Sequence, residues 1–167
     1  MIYIGIDPGL DGALAYISTG GDPEDVRVYD TPTLVVQGKN SHRRVYNLAR
    51  MHQILSGIIG DKPSLRLDAY IENVHAMPGQ GVRSMFTMGF GLGAWHGLLA
   101  ALQIPYYPVT PQRWKKTVLD GMGHDKDASR AQAVRLFPFV ADQLARKKDD
   151  GRADALLIAE YGRRMRS

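Results

Sequence analysis

The sequence predicts an α/β domain on a five-stranded mixed sheet, three antiparallel strands and then two parallel ones, flanked by helices. Three observations predict it. Ile2, Ile4 and Ile6 alternate with Tyr3, Gly5 and Asp7, the period of a strand with one buried face. Turn signals then separate two further short apolar runs. Beyond residue 45, runs with helical spacing alternate with the strand-like segments 68–74 and 105–109, the pattern of parallel strands joined by crossovers.

Taken in order, Asp7 ends the first strand, and Pro8 and Gly9 turn the chain back into a second strand over 12–17. A turn at 20–23 leads to a third strand at 26–30, so that the opening thirty residues form an antiparallel meander. Residues 31–41 are polar and read as irregular. Val45, Leu48, Leu55, Ile58 and Ile59 follow a helical period that stops near Gly60, and make the crossover helix. The fourth strand spans 68–74, a loop 77–81, and a glycine-bearing helix about 84–102. Residues 105–109 are the fifth strand. Thr110 and Pro111 give a hydroxyl cap and a first-turn proline for a helix carrying Arg113, Trp114, Lys115 and Lys116. After a loop at 120–126, Asp127 caps a helix that runs to Pro138. The last helix starts at Asp149 or Asp150 and ends at Arg163 and Arg164.

At 167 residues the chain has the length of one domain, 1–167, that can bury a sizeable core. Cysteine is absent, which excludes disulfides, thiolate nucleophiles and zinc sites built on Cys, so a metal must be held by oxygen or imidazole. The net charge of +4 is uneven: residues 1–110 carry 8 Lys and Arg against 9 Asp and Glu, and 111–167 carry 13 against 8. That basic last third suits a polyanionic partner, although such a face can also be merely solvated. Met1 runs straight into the first strand without a charged lead or apolar signal segment, and with the absence of cysteine, which is compatible with a reducing cytoplasm, a cytoplasmic protein is expected. The uncharged run 85–102 approaches the length of a membrane span, with Gly89, Gly93 and Gly97 four apart. It contains Thr87 and His96 and stands alone, so it reads as a buried helix of a protein with no membrane span. Its glycine ridge would lie close to the sheet or to a second copy of itself.

Three carboxylates stand out. Asp7 sits at the rim of the sheet beside a glycine turn open to a phosphate or metal, where an Asp can also simply start a turn. Glu72 lies within an otherwise apolar strand, so that something positive should meet it, unless it is a strand-end residue pointing to solvent. Asp154 shares a helical stripe with Leu157, Ile158 and Tyr161 and faces inward, and Asp150 is one turn earlier, as a ligand or as a helix cap. Inward carboxylates from two strands and a helix suit hard cations. Two Mg²⁺ ions about 4 Å apart would serve an in-line displacement at a phosphodiester, without a His or Lys base.

These features coincide with ordered motifs: GIDPGL at 5–10, YIENV at 70–74, PVTPQRWKKTV at 108–118 and KKDDGRADALLIA at 147–159. Together they resemble the RuvC-type Holliday-junction resolvases of the RNase H-like superfamily, and are similar also to the plant chloroplast resolvases. The resemblance covers nearly the whole chain. It implies an RNase H-like fold and an Mg-dependent endonuclease that resolves four-way DNA junctions in recombination and repair. Two sites in a homodimer would make paired, symmetric 5′-phosphoryl nicks. Asp7, Glu72 and Asp154 match the family's metal-binding carboxylates, with Asp150 as candidate fourth ligand; two Mg²⁺ per site are implied, and Mn²⁺ as a substitute.

Lys115 and Lys126 match basic positions near the cleaved strand, Lys126 among the catalytic set. Lys116, Arg130, Arg83 and His75 complete the side chains assigned to the nucleic acid. Where bacterial relatives carry an aromatic just after the Glu strand, this chain has Val74 and His75; His75 or Phe86 would substitute there, although Phe86 also reads as a core residue. A branch-migration helicase would be a further partner, of a kind that the residues do not specify. The rival readings are an RNase H-like nuclease acting on RNA or another branched nucleic acid, and a junction-binding module without catalysis.

Overall fold

The computed structural model describes residues 1–19, 25–39, 41–76, 78–120 and 126–166. The turn expected at 20–23 and most of the loop expected at 120–126 lie outside the described residues. Five strands form the main sheet in the order β3-β2-β1-β6-β7: β1 (Ile2–Asp7), β2 (Ala13–Ser18), β3 (Val26–Asp30), β6 (Leu67–Glu72) and β7 (Tyr106–Val109). β1 pairs antiparallel with β2, and β2 with β3, while β6 and β7 run parallel to β1. This is the expected mixed sheet, with the first strand at its centre.

The alternation in β1 sorts its side chains between two cores. Ile2, Ile4 and Ile6 face a cluster with Met51, Leu55, Trp95 and Leu99 from α1 (Leu48–Asp61) and α2 (Val82–Ala101). Tyr3 belongs to the other cluster, together with residues of α3 (Pro111–Val118), α4 (Lys126–Leu136) and α5 (Asp150–Arg166). Two short 3-10 segments, Pro138–Leu144 and Lys147–Asp149, lead into α5.

Several expectations are corrected. Residues 31–41 are not irregular: β4 (Thr33–Gln37) and β5 (His42–Tyr46) make an antiparallel hairpin that stands apart from the main sheet. Val45 therefore belongs to a strand, and α1 starts at Leu48 behind Asn47, whose side chain accepts from the Arg50 N–H at 3.1 Å. Thr110 occupies the N-cap of α3, yet its hydroxyl makes no capping hydrogen bond. α5 continues to Arg166, two residues beyond the expected end.

The glycine helix is buried on one side only. Gly91, Trp95 and Leu99 face inward, and a β-carbon on Gly91 would lie 2.2 Å from the Tyr46 hydroxyl. That hydroxyl donates to the Pro8 carbonyl at 3.1 Å, so Tyr46 ties the hairpin and α2 to the turn after β1. Gly89, Gly93 and Gly97 have nothing within 4 Å of a built β-carbon; the four-residue ridge does not touch the sheet. Phe86, expected in the core, is 77% exposed. Among the described residues no helix is long and apolar enough to cross a membrane.

Candidate active site

The parallel register pairs Ile6 with Ile71, so Asp7 and Glu72 follow at the C-terminal ends of adjacent strands, on the face that α5 covers. Asp7 accepts from the Gly9 N–H at 3.1 Å, which holds its carboxylate at the mouth of the turn. Two glycines then bring the start of α5 to this point. A β-carbon on Gly12 would lie 2.8 Å from the Asp7 Cγ, and one on Gly151 would lie 2.3 Å from the Asp11 carbonyl. Only residues without a side chain allow the helix and the turn to meet so closely.

A cleft of about 780 Å³ results, lined by Asp7, Asp150 and Asp154 and rimmed by Arg44, Arg146 and Lys148. Asp154 carries its sharpest electrostatic feature. Burial raises the carboxyl to about 6, against the pull of Lys115 and Ser129 and with added repulsion from Glu72 and Asp150. Ser129 is the hydroxyl neighbour of Asp154, and its buried Oδ1 meets no donor at hydrogen-bonding geometry among the described residues. The other carboxylates each have a donor. Glu72 accepts from the Trp114 indole N–H at 2.9 Å. Asp150 meets Arg130 at 3.0 Å.

Among the described residues no group of three or more His, Asp or Glu side chains is gathered closely enough to hold one metal ion. The four expected ligands are thus brought to one end of the sheet, not drawn into a closed cage. The donor set still fits a hard divalent cation: every candidate ligand is a carboxylate oxygen, and one buried Asp154 oxygen, Oδ1, meets no donor at hydrogen-bonding geometry among the described residues.

The basic residues divide. Lys115 lies over the Trp114 ring at 5.2 Å and acts electrostatically on Asp154, which puts it beside the carboxylates. Arg130 is engaged with Asp150 and, through a second nitrogen, with Asp127. Lys116, His75 and Arg83 are exposed; Lys126 opens α4, and its side chain lies outside the described residues.

Residues missed in the sequence include Trp114 as the partner of Glu72, Ser129 beside Asp154, and the cleft-lining Arg44, Arg146 and Lys148. The KK of the motif at 147–159 was a usable signal for Lys148. Arg44 gave none, because its place depends on the hairpin, from which it bonds Asp11 at 2.7 Å.

No protein-family model matches the chain. Over 150 residues, 81% of this chain, it is 31% identical to the "Holliday junction resolvase MOC1, chloroplastic" of Chlamydomonas reinhardtii. The chain spans 17% of the length of that protein. Among solved structures, RuvC of Thermus thermophilus in complex with a Holliday junction substrate superposes with a TM-score of 0.62 at 17% identity, covering 99% of this chain and 96% of that one. A second Thermus thermophilus RuvC structure gives 0.59 at 20% identity with the same coverage of 99% and 96%. The chain therefore has the RNase H-like fold of RuvC, and over four-fifths of its length its sequence resembles a chloroplast Holliday junction resolvase.

Proposed function

We propose that the protein is an Mg-dependent endonuclease that resolves four-way DNA junctions in recombination and repair. The observation that carries this reading is the cleft in which Asp7, Asp150 and Asp154 face a basic rim, with the Asp154 carboxyl buried enough to be raised to about 6. A buried carboxylate next to two others is unfavourable unless a cation meets it. Asp7, Glu72 and Asp154 would hold the metal, and Asp150 would join them by exchanging Arg130. Bound Mg²⁺, as a pair of ions for which Mn²⁺ substitutes, supplies the Lewis acidity that phosphodiester hydrolysis needs.

The chain's own residues orient the strand. Lys115, fixed against Trp114, meets the phosphate to be cut. Lys126 has the same role from the start of α4. Arg44, Arg146 and Lys148 hold flanking phosphates around the cleft, and Lys116, Arg83 and His75 lie further along the backbone path.

A homodimer matches the two-fold symmetry of a four-way junction. Its surface is the outer face of α2, where Val82, Phe86 and Phe90 are 79%, 77% and 49% exposed and the ridge of Gly89, Gly93 and Gly97 is open to close approach. The test compares cleavage in Mg²⁺ of a synthetic four-way junction, a linear duplex and an RNA–DNA hybrid. Selective paired nicking of the junction supports the reading. Preference for the hybrid would transfer it to an RNA-directed nuclease, and tight junction binding without cleavage would make the protein a binding module.

A further inference from the structure

A second cavity, of about 450 Å³, opens on the α5 face of the sheet beyond β6. Its size is that of a small-molecule site. Tyr70 and Tyr161 form its floor, 5% and 3% exposed; Tyr107 stands at the rim, 36% exposed, and Met165 closes one end. The rings are ordered against one another. Tyr70 lies 5.2 Å from Tyr107 and meets Tyr161 edge-on at 5.9 Å.

Two cations complete the lining. Arg166 sits over the Tyr107 ring at 5.0 Å and is anchored to the fully buried Asp68 at 3.2 Å. Arg113 is exposed at the mouth. Among the described residues no acidic side chain lines this cavity.

We propose that this cavity receives one unstacked nucleotide of the bound DNA, the base against the exposed part of Tyr107 and the Arg166 guanidinium, which the buried Tyr70 and Tyr161 support from below, and a flanking phosphate on Arg113. Flat aromatic faces with an arginine plane are the chemistry of base stacking, and an exposed arginine at the mouth is that of phosphate. A peptide strand added to the β7 edge fits less well, because Pro108 lies within β7 and removes a backbone donor.

The position also suits a strand leaving the metal cleft. Tyr107 pairs with Tyr70 two residues before the Val109–Glu72 pair, so the pocket lies about 7 Å along β6 from Glu72, on the same face. Arg113 directly precedes Trp114, the residue that holds Glu72. The proposal rests on the nuclease reading for the identity of the strand, and its test does not need cleavage.

Binding of a twelve-nucleotide DNA single strand, intact or with abasic sites at its centre, would be measured by fluorescence anisotropy in EDTA. The wild-type protein is expected to bind the intact strand at least about fivefold more tightly. Tyr107→Leu should remove that difference, and Tyr107→Phe should keep it. Arg113→Gln should weaken both strands alike and lower the salt dependence by about one phosphate contact. Equal binding of intact and abasic strands by the wild type, or full discrimination by a folded Tyr107→Leu variant, would overturn the proposal and leave the β7 edge to a peptide. A protein that discriminates the strands yet does not nick junctions in Mg²⁺ would support the pocket and overturn the nuclease reading.

Discussion

Gly5 of β1 and Ala155 of α5 stand backbone to backbone: a β-carbon on Gly5 would lie 2.1 Å from the Ala155 carbonyl oxygen and 2.3 Å from the Ala159 nitrogen. The last helix is thereby pressed onto the central strand one residue from Asp154, and two residues before Asp7 on the other side. This contact sets how far the strand carboxylate stands from the helix carboxylate. Gly5→Ala should therefore cost more than about 3 kcal/mol, since backbone cannot yield as a side chain can. The measurement is chemical denaturation; a midpoint like that of the wild type would contradict so close a packing.

Asp154 predicts a pH dependence of stability. Its folded pKa is raised above the ordinary carboxylate value to about 6 by burial, so the native state binds more protons than the unfolded chain between about pH 4 and 6. Stability from this group is complete below pH 4 and is lost as pH rises through 6. In EDTA, Asp154→Asn should stabilise the protein at pH 8, by at most on the order of 3 kcal/mol, with the difference vanishing near pH 4. A destabilised Asn variant at pH 8 would contradict the burial argument.

The Trp114 indole donates to Glu72 at 2.9 Å from a fully buried ring. Trp114→Phe keeps most of the apolar burial and removes the donor. A loss of about 1–2 kcal/mol in stability is expected, together with weaker Mg²⁺ binding from a less well oriented Glu72. Calorimetric titration of Mg²⁺ into the variant checks the second effect, and unchanged affinity would mean that Trp114 acts in packing alone.

At the rim of the cleft, Lys148 is exposed and Arg44 reaches across from the hairpin to Asp11. If both hold phosphates, Lys148→Ala and Arg44→Ala should each weaken junction binding and each reduce the slope of log K against log salt by about one. Anisotropy titrations over a range of salt give the slopes. A slope unchanged in both variants would place the DNA elsewhere.

Much of this arrangement was legible in the residues because its period was unambiguous. The alternation of Ile2, Ile4 and Ile6 gave the central strand, and the stripe of Asp154, Leu157, Ile158 and Tyr161 gave the inward face of α5. The hairpin β4–β5 escaped because Leu34, Val35 and Val36 are 51%, 67% and 42% exposed: with neither face well buried, the strands carry no alternation to read. Phe86 misled for the converse reason, since an apolar residue on an apolar helix gives no sign of which side is covered, and α2 presents it outward. Local pattern singles out Asp7, Glu72, Asp150 and Asp154, with a turn, a strand end or a cap as the alternative for all but Asp154, and the ordered motifs join them into one set. Their donors could not be named in this way, because Trp114 is 42 residues from Glu72 and only the β6–β7 register brings them together.

The central claim, that carboxylates at the end of β1 and β6 and on α5 cut junction strands with Mg²⁺, turns most directly on Asp7. Nicking of a synthetic four-way junction would be followed in Mg²⁺ for the wild type and for Asp7→Asn, with the cut sites mapped on each strand. The account predicts paired, symmetric nicks by the wild type and a rate lower by roughly a hundredfold or more in the variant, with folding and junction binding retained. Undiminished nicking by Asp7→Asn would contradict it.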